Sequence, residues 1–174
     1  MSKDANSEQL RLGFMAAVEV DGRGFVGGLL VTNHMGRPLE FQCTTPVRPD
    51  RTQEILYGRT LKSWLLGELI GRTLLERVSI KPEMVFVADP ALLEVRDHTE
   101  IPVACMDADG KASSREALSA ELGGRRLCFH DQHPDDARFV TKKSHLVPGQ
   151  ADLEEPLERV RDALNETIKT VMAR

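Results

Sequence analysis

The chain is poor in aromatic residues, in cysteine and in long apolar runs. One tryptophan, one tyrosine and six phenylalanines amount to 5% of 174 residues, which leaves little material for a base-stacking platform. Cys43, Cys105 and Cys128 are widely spaced with no C-x-x-C pair, so neither a disulfide framework nor a thiolate zinc motif is present in the pattern. Each lies in an apolar, strand-like run and reads as a reduced core residue. No run of 18 apolar residues occurs, and the opening MSKDANSEQLRL lacks the apolar core of a signal peptide; a cytoplasmic location is expected and a membrane partner is not. The P-loop, G-x-G-x-x-G and G-x-S-x-G signatures are also missing. With 23 Lys and Arg against 27 Asp and Glu, interspersed for a net charge of −4, net charge gives no support for broad nucleic-acid binding.

What is there is an ordered series of elements from Gly13 to Asp89. GFMAAVEV and FVGGLLVTN flank Asp21-Gly22, a pair suited to the positive φ angles of a two-residue hairpin turn. Gly27-Gly28 would weaken a strand unless something approaches the backbone closely. LEFQCTTP alternates, with Leu39, Phe41 and Cys43 on one face, as a half-exposed strand near an edge would. A long helix from about Asp50 to Val78 follows, then the buried strand MVFVAD. Beyond it come a short helix at ALLEVRDH, a strand at IPVACM and a helix capped by Ser113 or Ser114 that ends at Gly123-Gly124. RRLCFHD and ARFVTKK are expected to pair as strands around the QHPDD turn, and a last helix spans about Glu155 to Met172. The expected fold is one α/β domain whose mixed sheet begins as an antiparallel meander, with a flexible tail over residues 1–12, the domain over 13–150 and an amphipathic helix over 151–174.

The long helix is apolar on two sides. Leu66, Ile70, Leu74 and Val78 share a face with Leu56, Gly67 and Gly71, whereas Leu61, Leu65 and Leu69 project from the other side among charged residues. Two apolar sides need two covers. The last helix carries a narrow stripe of Leu157, Val160, Leu164 and Ile168, continued by Val171, the spacing of a single packing seam. These two surfaces point to packing on one another or on a second copy.

The candidate chemistry lies in carboxylates and histidines. The strand and helix order resembles that of ribonuclease-H-like folds, in which acids on the first strand, first helix and fourth strand hold divalent metal for phosphoryl transfer. That resemblance implies Glu19 or Asp21, Glu54 or Glu68, and Asp89 as ligands of Mg²⁺. Each also has a plain structural role available: Asp21 in a turn, Asp89 before Pro90 as a helix N-cap, Glu68 on a charged face. Asp107-x-Asp109-Gly110 reads as a polar turn; its likeness to the opening motif of haloacid-dehalogenase-type phosphatases fails on order and length. The run His130-Asp131-Gln132-His133-Pro134-Asp135-Asp136 is the densest set of ligand-type side chains, and His130, His133, Asp135 and Asp136 are the candidates for a metal. Two readings follow. The first is a non-catalytic, self-associating binding protein without a cofactor. The second is a divalent-metal-dependent phosphoryl-transfer enzyme with an acidic site at the sheet end.

Overall fold

A computed structural model describes residues 10–106, 119–122, 124–148 and 151–173. The tail over Met1–Gln9 and the Asp107–Asp109 turn lie outside the described residues. One seven-stranded mixed sheet runs in the order β3-β2-β1-β4-β5-β7-β6, formed by β1 (Leu12–Val20), β2 (Gly24–Thr32), β3 (Pro38–Cys43), β4 (Met84–Val87), β5 (Val103–Met106), β6 (Ser119–Leu122) and β7 (Arg125–Phe129). β1 pairs in parallel with β4, and β4 with β5; the remaining pairs are antiparallel. The expected α/β fold with its antiparallel opening meander is therefore present, and β3 is an edge strand. Leu10 and Leu12, expected in the tail, belong to the core at 1% and 2% exposure.

The first hairpin closes differently from expectation. Of the Asp21-Gly22 pair Gly22 alone takes a positive φ, at 71°, and Gly24 takes another, at 90°; the register joins Val20 to Gly24 around a three-residue loop. The long helix is also divided. Gly58, at φ 51°, ends α1 (Arg51–Tyr57) because glycine enters the left-handed region without a Cβ clash. After one 3₁₀ turn, α2 runs through residues 61–77, with a wide π-type stretch at Trp64–Gly71. Leu66, Ile70, Leu74 and Val78 are buried against the sheet as expected, whereas Leu56, on the detached α1, is 78% exposed.

Gly27 and Gly28 explain how both sheet faces are covered. Successive strand residues point to opposite faces. A Cβ on Gly27 would lie 2.1 Å from Ile70 Cγ2 of α2, and one on Gly28 would lie 3.0 Å from Leu164 and Val160 of α5 (Glu155–Met172). The last helix thus packs on the sheet face opposite α2, correcting the expectation that it covers the leucines of the long helix or a partner. Leu157, Val160 and Leu164 are at most 2% exposed in the core of their own chain, and Ile168 packs against it. Of the other assigned partner-binding residues, Leu65 is 1% exposed, and Leu61 and Leu69 are half-buried.

The neighbour of α2 is instead α3 (Pro90–His98), a 3₁₀ helix capped by Asp89. A Cβ on Gly67 would meet Glu94 Cβ at 2.7 Å and the Ala91 carbonyl oxygen at 3.0 Å, so the two helices touch nearly backbone to backbone. Two further expectations are corrected. Residues 119–122 form β6 and not the end of a helix, since Gly124 at φ 74° sits in the β6–β7 hairpin. ARFVTKK belongs to α4 (Asp135–Lys143) and not to a strand: Ala137 and Val140 are buried at helical spacing, with Asp135 and Asp136 in the first turn and Lys142 and Lys143 in the last, which suits the helix dipole.

Glu40 on β3 fastens the end of α2. Its carboxylate accepts the Ser79 and Ile80 amides, at 3.0 and 2.8 Å, and the Gln42 side chain at 2.8 Å. These bonds, that from Gln42 foremost, hold its pKa below the ordinary 4.5. A carboxylate with a depressed folded pKa stabilises above its unfolded value and loses that contribution as pH falls through the folded one. Urea denaturation should therefore show Glu40→Gln less stable than the parent at pH 7, with the difference fading below pH 4.5. Gly67→Ala should cost about 1–3 kcal/mol by forcing α3 away from α2, as overpacking does; an unchanged urea midpoint would mean that the helices are not in contact.

Candidate metal centre

The sheet end carries only part of the expected acidic set. Asp89 follows β4, whose Val87 pairs with Met15 of β1. Asp89 accepts the Ala91 amide at 2.9 Å and pairs with Lys62 at 2.7 Å. Glu19 is exposed opposite Phe25, and Asp21 is exposed in the hairpin turn. Glu54 pairs with Arg51 at 3.1 Å, and Glu68 is half-buried on α2. None of them belongs to a metal-competent group among the described residues. Among the described residues the charged partner of Asp89 is the Lys62 ammonium.

A donor set does form at the opposite end of the sheet, where β7 finishes and β5 begins. Asp97, His130 and His133 bring one ligand atom each within 4.8 Å of one another, the single such group among the described residues. His130 follows β7 and is buried. The His133 amide donates to the His130 carbonyl at 3.0 Å, and this turn brings the two rings edge to face with centroids 5.2 Å apart. His133 Nε2 donates to Asp97 Oδ1 at 2.9 Å, and His130 Nε2 stands 3.5 Å from Asp97 Oδ2 and 3.7 Å from Glu94 Oε1. The Gln132 amide donates to His130 Nδ1 at 3.1 Å, which leaves the proton of the neutral ring on Nε2, facing the carboxylates. A cation has to displace that proton. The hydrogen bond from His133 foremost holds the Asp97 carboxyl below its ordinary value against the effect of burial.

The other two sequence candidates are corrected. Asp136 is 3% exposed and committed to Arg96, accepting from Nε at 2.8 Å and from a terminal guanidinium nitrogen at 3.2 Å, with the Val103 amide at 3.4 Å. Asp135 points to solvent near Arg138 at 3.7 Å. The residues that sequence reasoning missed are Asp97 and Glu94. In a 3₁₀ helix residues i and i+3 eclipse, so both project from the same side of α3. A paired reading of E-x-x-D at 94–97 and H-x-x-H at 130–133 would have been the signal.

Asp97 and His130 line a groove of about 430 Å³ with Pro90, Leu93, Glu94, Phe129 and Gln132, whereas His133 faces a neighbouring depression with Arg96, Asp97 and His98. On the floor of the groove Cys105 and Cys128 face one another across the β5–β7 ladder, both buried. The same end of the protein holds Arg96, which also donates to the Thr99 carbonyl at 2.6 Å. No helix among the described residues is long and apolar enough to cross a membrane.

No protein-family model and no curated protein sequence matches the chain. Among solved structures it is similar to the crystal structure of human ENDOV, with a TM-score of 0.50 and 15% identity, over 98% of this chain and 89% of that one. The fold is shared with an endonuclease. That finding overturns the expectation of a non-catalytic, self-associating binding protein, whose supposed assembly residues on α5 are filled by the chain's own core.

The Arg96–Asp136 pair ties α3 to α4 and so sets Asp97 against His133. Breaking a buried pair from one side leaves a stranded charge, at about 3–5 kcal/mol. Asp136→Ala should lose stability in that range in urea denaturation; a loss under about 1 kcal/mol would mean the pair is solvated.

Proposed function

We propose that this chain is a divalent-metal-dependent phosphoryl-transfer enzyme of nuclease type. The observation that carries the reading is the convergence of Asp97, His130 and His133, the first two lining a groove, in a fold similar to that of human ENDOV. The reading places the reaction at this set and away from Asp89, whose charged partner among the described residues is Lys62.

Three protein donors with an open side are the pattern of catalytic rather than structural sites. When bound there, a divalent cation lowers the pKa of a water molecule and neutralises charge on a phosphate oxygen. The chain's own residues supply the rest. His130 and His133 are fixed by the turn between them, and Asp97 is held by its bond from His133. Glu94, with its side chain 47% exposed on the groove side of His130, is the carboxylate placed to accept a proton. Leu93 and Phe129 provide apolar walls that limit water around the scissile group.

Labelled single- and double-stranded oligonucleotides, incubated with the protein and Mn²⁺ or Zn²⁺, should be cut, and a chelator should stop the cutting. His133→Ala should lower the rate at least about 100-fold, as loss of a metal ligand does, whereas Asp89→Asn should leave it unchanged. Absence of cleavage under every metal would contradict the reading, as would cleavage that depends on Asp89 and not on His133.

A further inference from the structure

We infer that Asp97, His130 and His133 form a site for one first-row transition ion, of which zinc is the type, and that the site does not accept magnesium. The inference uses the donor set of the proposed activity, but concerns binding alone, so the two can fail separately.

Donor chemistry comes first. Two imidazole nitrogens and one carboxylate are borderline ligands that suit zinc, cobalt, nickel or iron, whereas magnesium takes oxygen ligands and keeps most of its water. The described donors provide two nitrogens and too few oxygens for magnesium.

Spacing comes second. A tetrahedral ion with bonds of about 2.0–2.1 Å places neighbouring ligand atoms about 3.3 Å apart. His130 Nε2 lies 3.5 Å from Asp97 Oδ2, His133 Nε2 lies 2.9 Å from Asp97 Oδ1, and Glu94 Oε1 is 3.7 Å from His130 Nε2. Each histidine nitrogen thus stands near one of the two Asp97 oxygens, and the three ligand atoms lie within 4.8 Å of one another, so small side-chain shifts bring them to the coordination figure. Glu94 is the carboxylate that can take the fourth position or leave it to water.

Support around the ligands comes third. Asp97 stands next to Arg96, whose bond to Asp136 is buried, and His133 lies three residues before Asp136. Both ligand segments are thus anchored to one ion pair, so little ordering remains for the cation to impose. His130 is buried beside the groove, which limits hydration of a bound ion.

The test is a titration of chelator-treated, dialysed full-length protein with Zn²⁺, Co²⁺ and Mg²⁺, followed by calorimetry, by cobalt absorption and by melting temperature. One Zn²⁺ per chain should bind and raise the melting temperature; Co²⁺ should give visible d–d bands without a strong thiolate band, and millimolar Mg²⁺ should change nothing. His133→Gln and Asp97→Asn, checked for unchanged circular dichroism, should each weaken zinc binding at least tenfold; both are more exposed than His130 and so spare the core. No uptake at about 100 μM Zn²⁺ would overturn the inference. Uptake unaffected by both variants, a thiolate band from Cys105 or Cys128, or equal response to Mg²⁺ would overturn it too. Zinc uptake without oligonucleotide cleavage would remove the proposed activity and leave the site standing.

Discussion

The geometry of the donor set depends on one buried ion pair. Arg96 lies on α3 and Asp136 on α4, elements 40 residues apart in sequence, and their charges are satisfied by two hydrogen bonds to each other and by backbone partners on each side. A charge this deep is tolerated only when paired and fully hydrogen-bonded. The pair therefore admits one relative placement of the two elements. Asp97 follows Arg96 directly and His133 precedes Asp136 by a single turn, so fixing the pair brings ligand to ligand.

That placement rests in turn on glycine. Gly27 and Gly28 let α2 and α5 approach the two faces of β2, and Gly67 and Gly71 let α3 lie against α2, with Val95 within 3.0 Å of where a Gly71 Cβ would be. Each missing side chain shortens a distance between layers. Bulkier residues would push α3 outward, and with it Glu94 and Asp97. The route from sequence to site thus passes through backbone proximity first and polar pairing second.

Much of the fold was legible because it rests on local signals. The place of the first hairpin, though not its turn type, the alternating β3, the Asp89-Pro90 cap and the stripe on α5 each depend on neighbours in sequence. The errors have the same physical origin. Nothing local says which sheet face α5 covers; that is decided by Gly28, a residue more than 120 positions from it. ARFVTKK fits either period over seven residues, and its buried Ala137 and Val140 resolve it only once the core is known. At the site, the two histidines were visible as a dense run, but Asp135 and Asp136 were assigned by adjacency. Adjacency misled because Asp136 is drawn to Arg96 and Asp135 to solvent, while the carboxylate that reaches the histidines comes from a different helix. The acids suggested by strand order form no metal-competent group among the described residues, and strand order says nothing about a partner such as Lys62.

The sheet end and the opposite end now have distinct characters. At one, the Asp89 carboxylate pairs with a lysine; at the other, two imidazoles and a carboxylate converge with a second carboxylate nearby. The central claim is that the second constellation is a cation site. Its most direct test is anomalous diffraction at the zinc edge from crystals of the zinc-soaked protein. One peak is predicted about 2.0–2.2 Å from a nitrogen of each of His130 and His133 and an oxygen of Asp97. A map with no peak there, or with its strongest protein-bound peak at Asp89, would contradict the account.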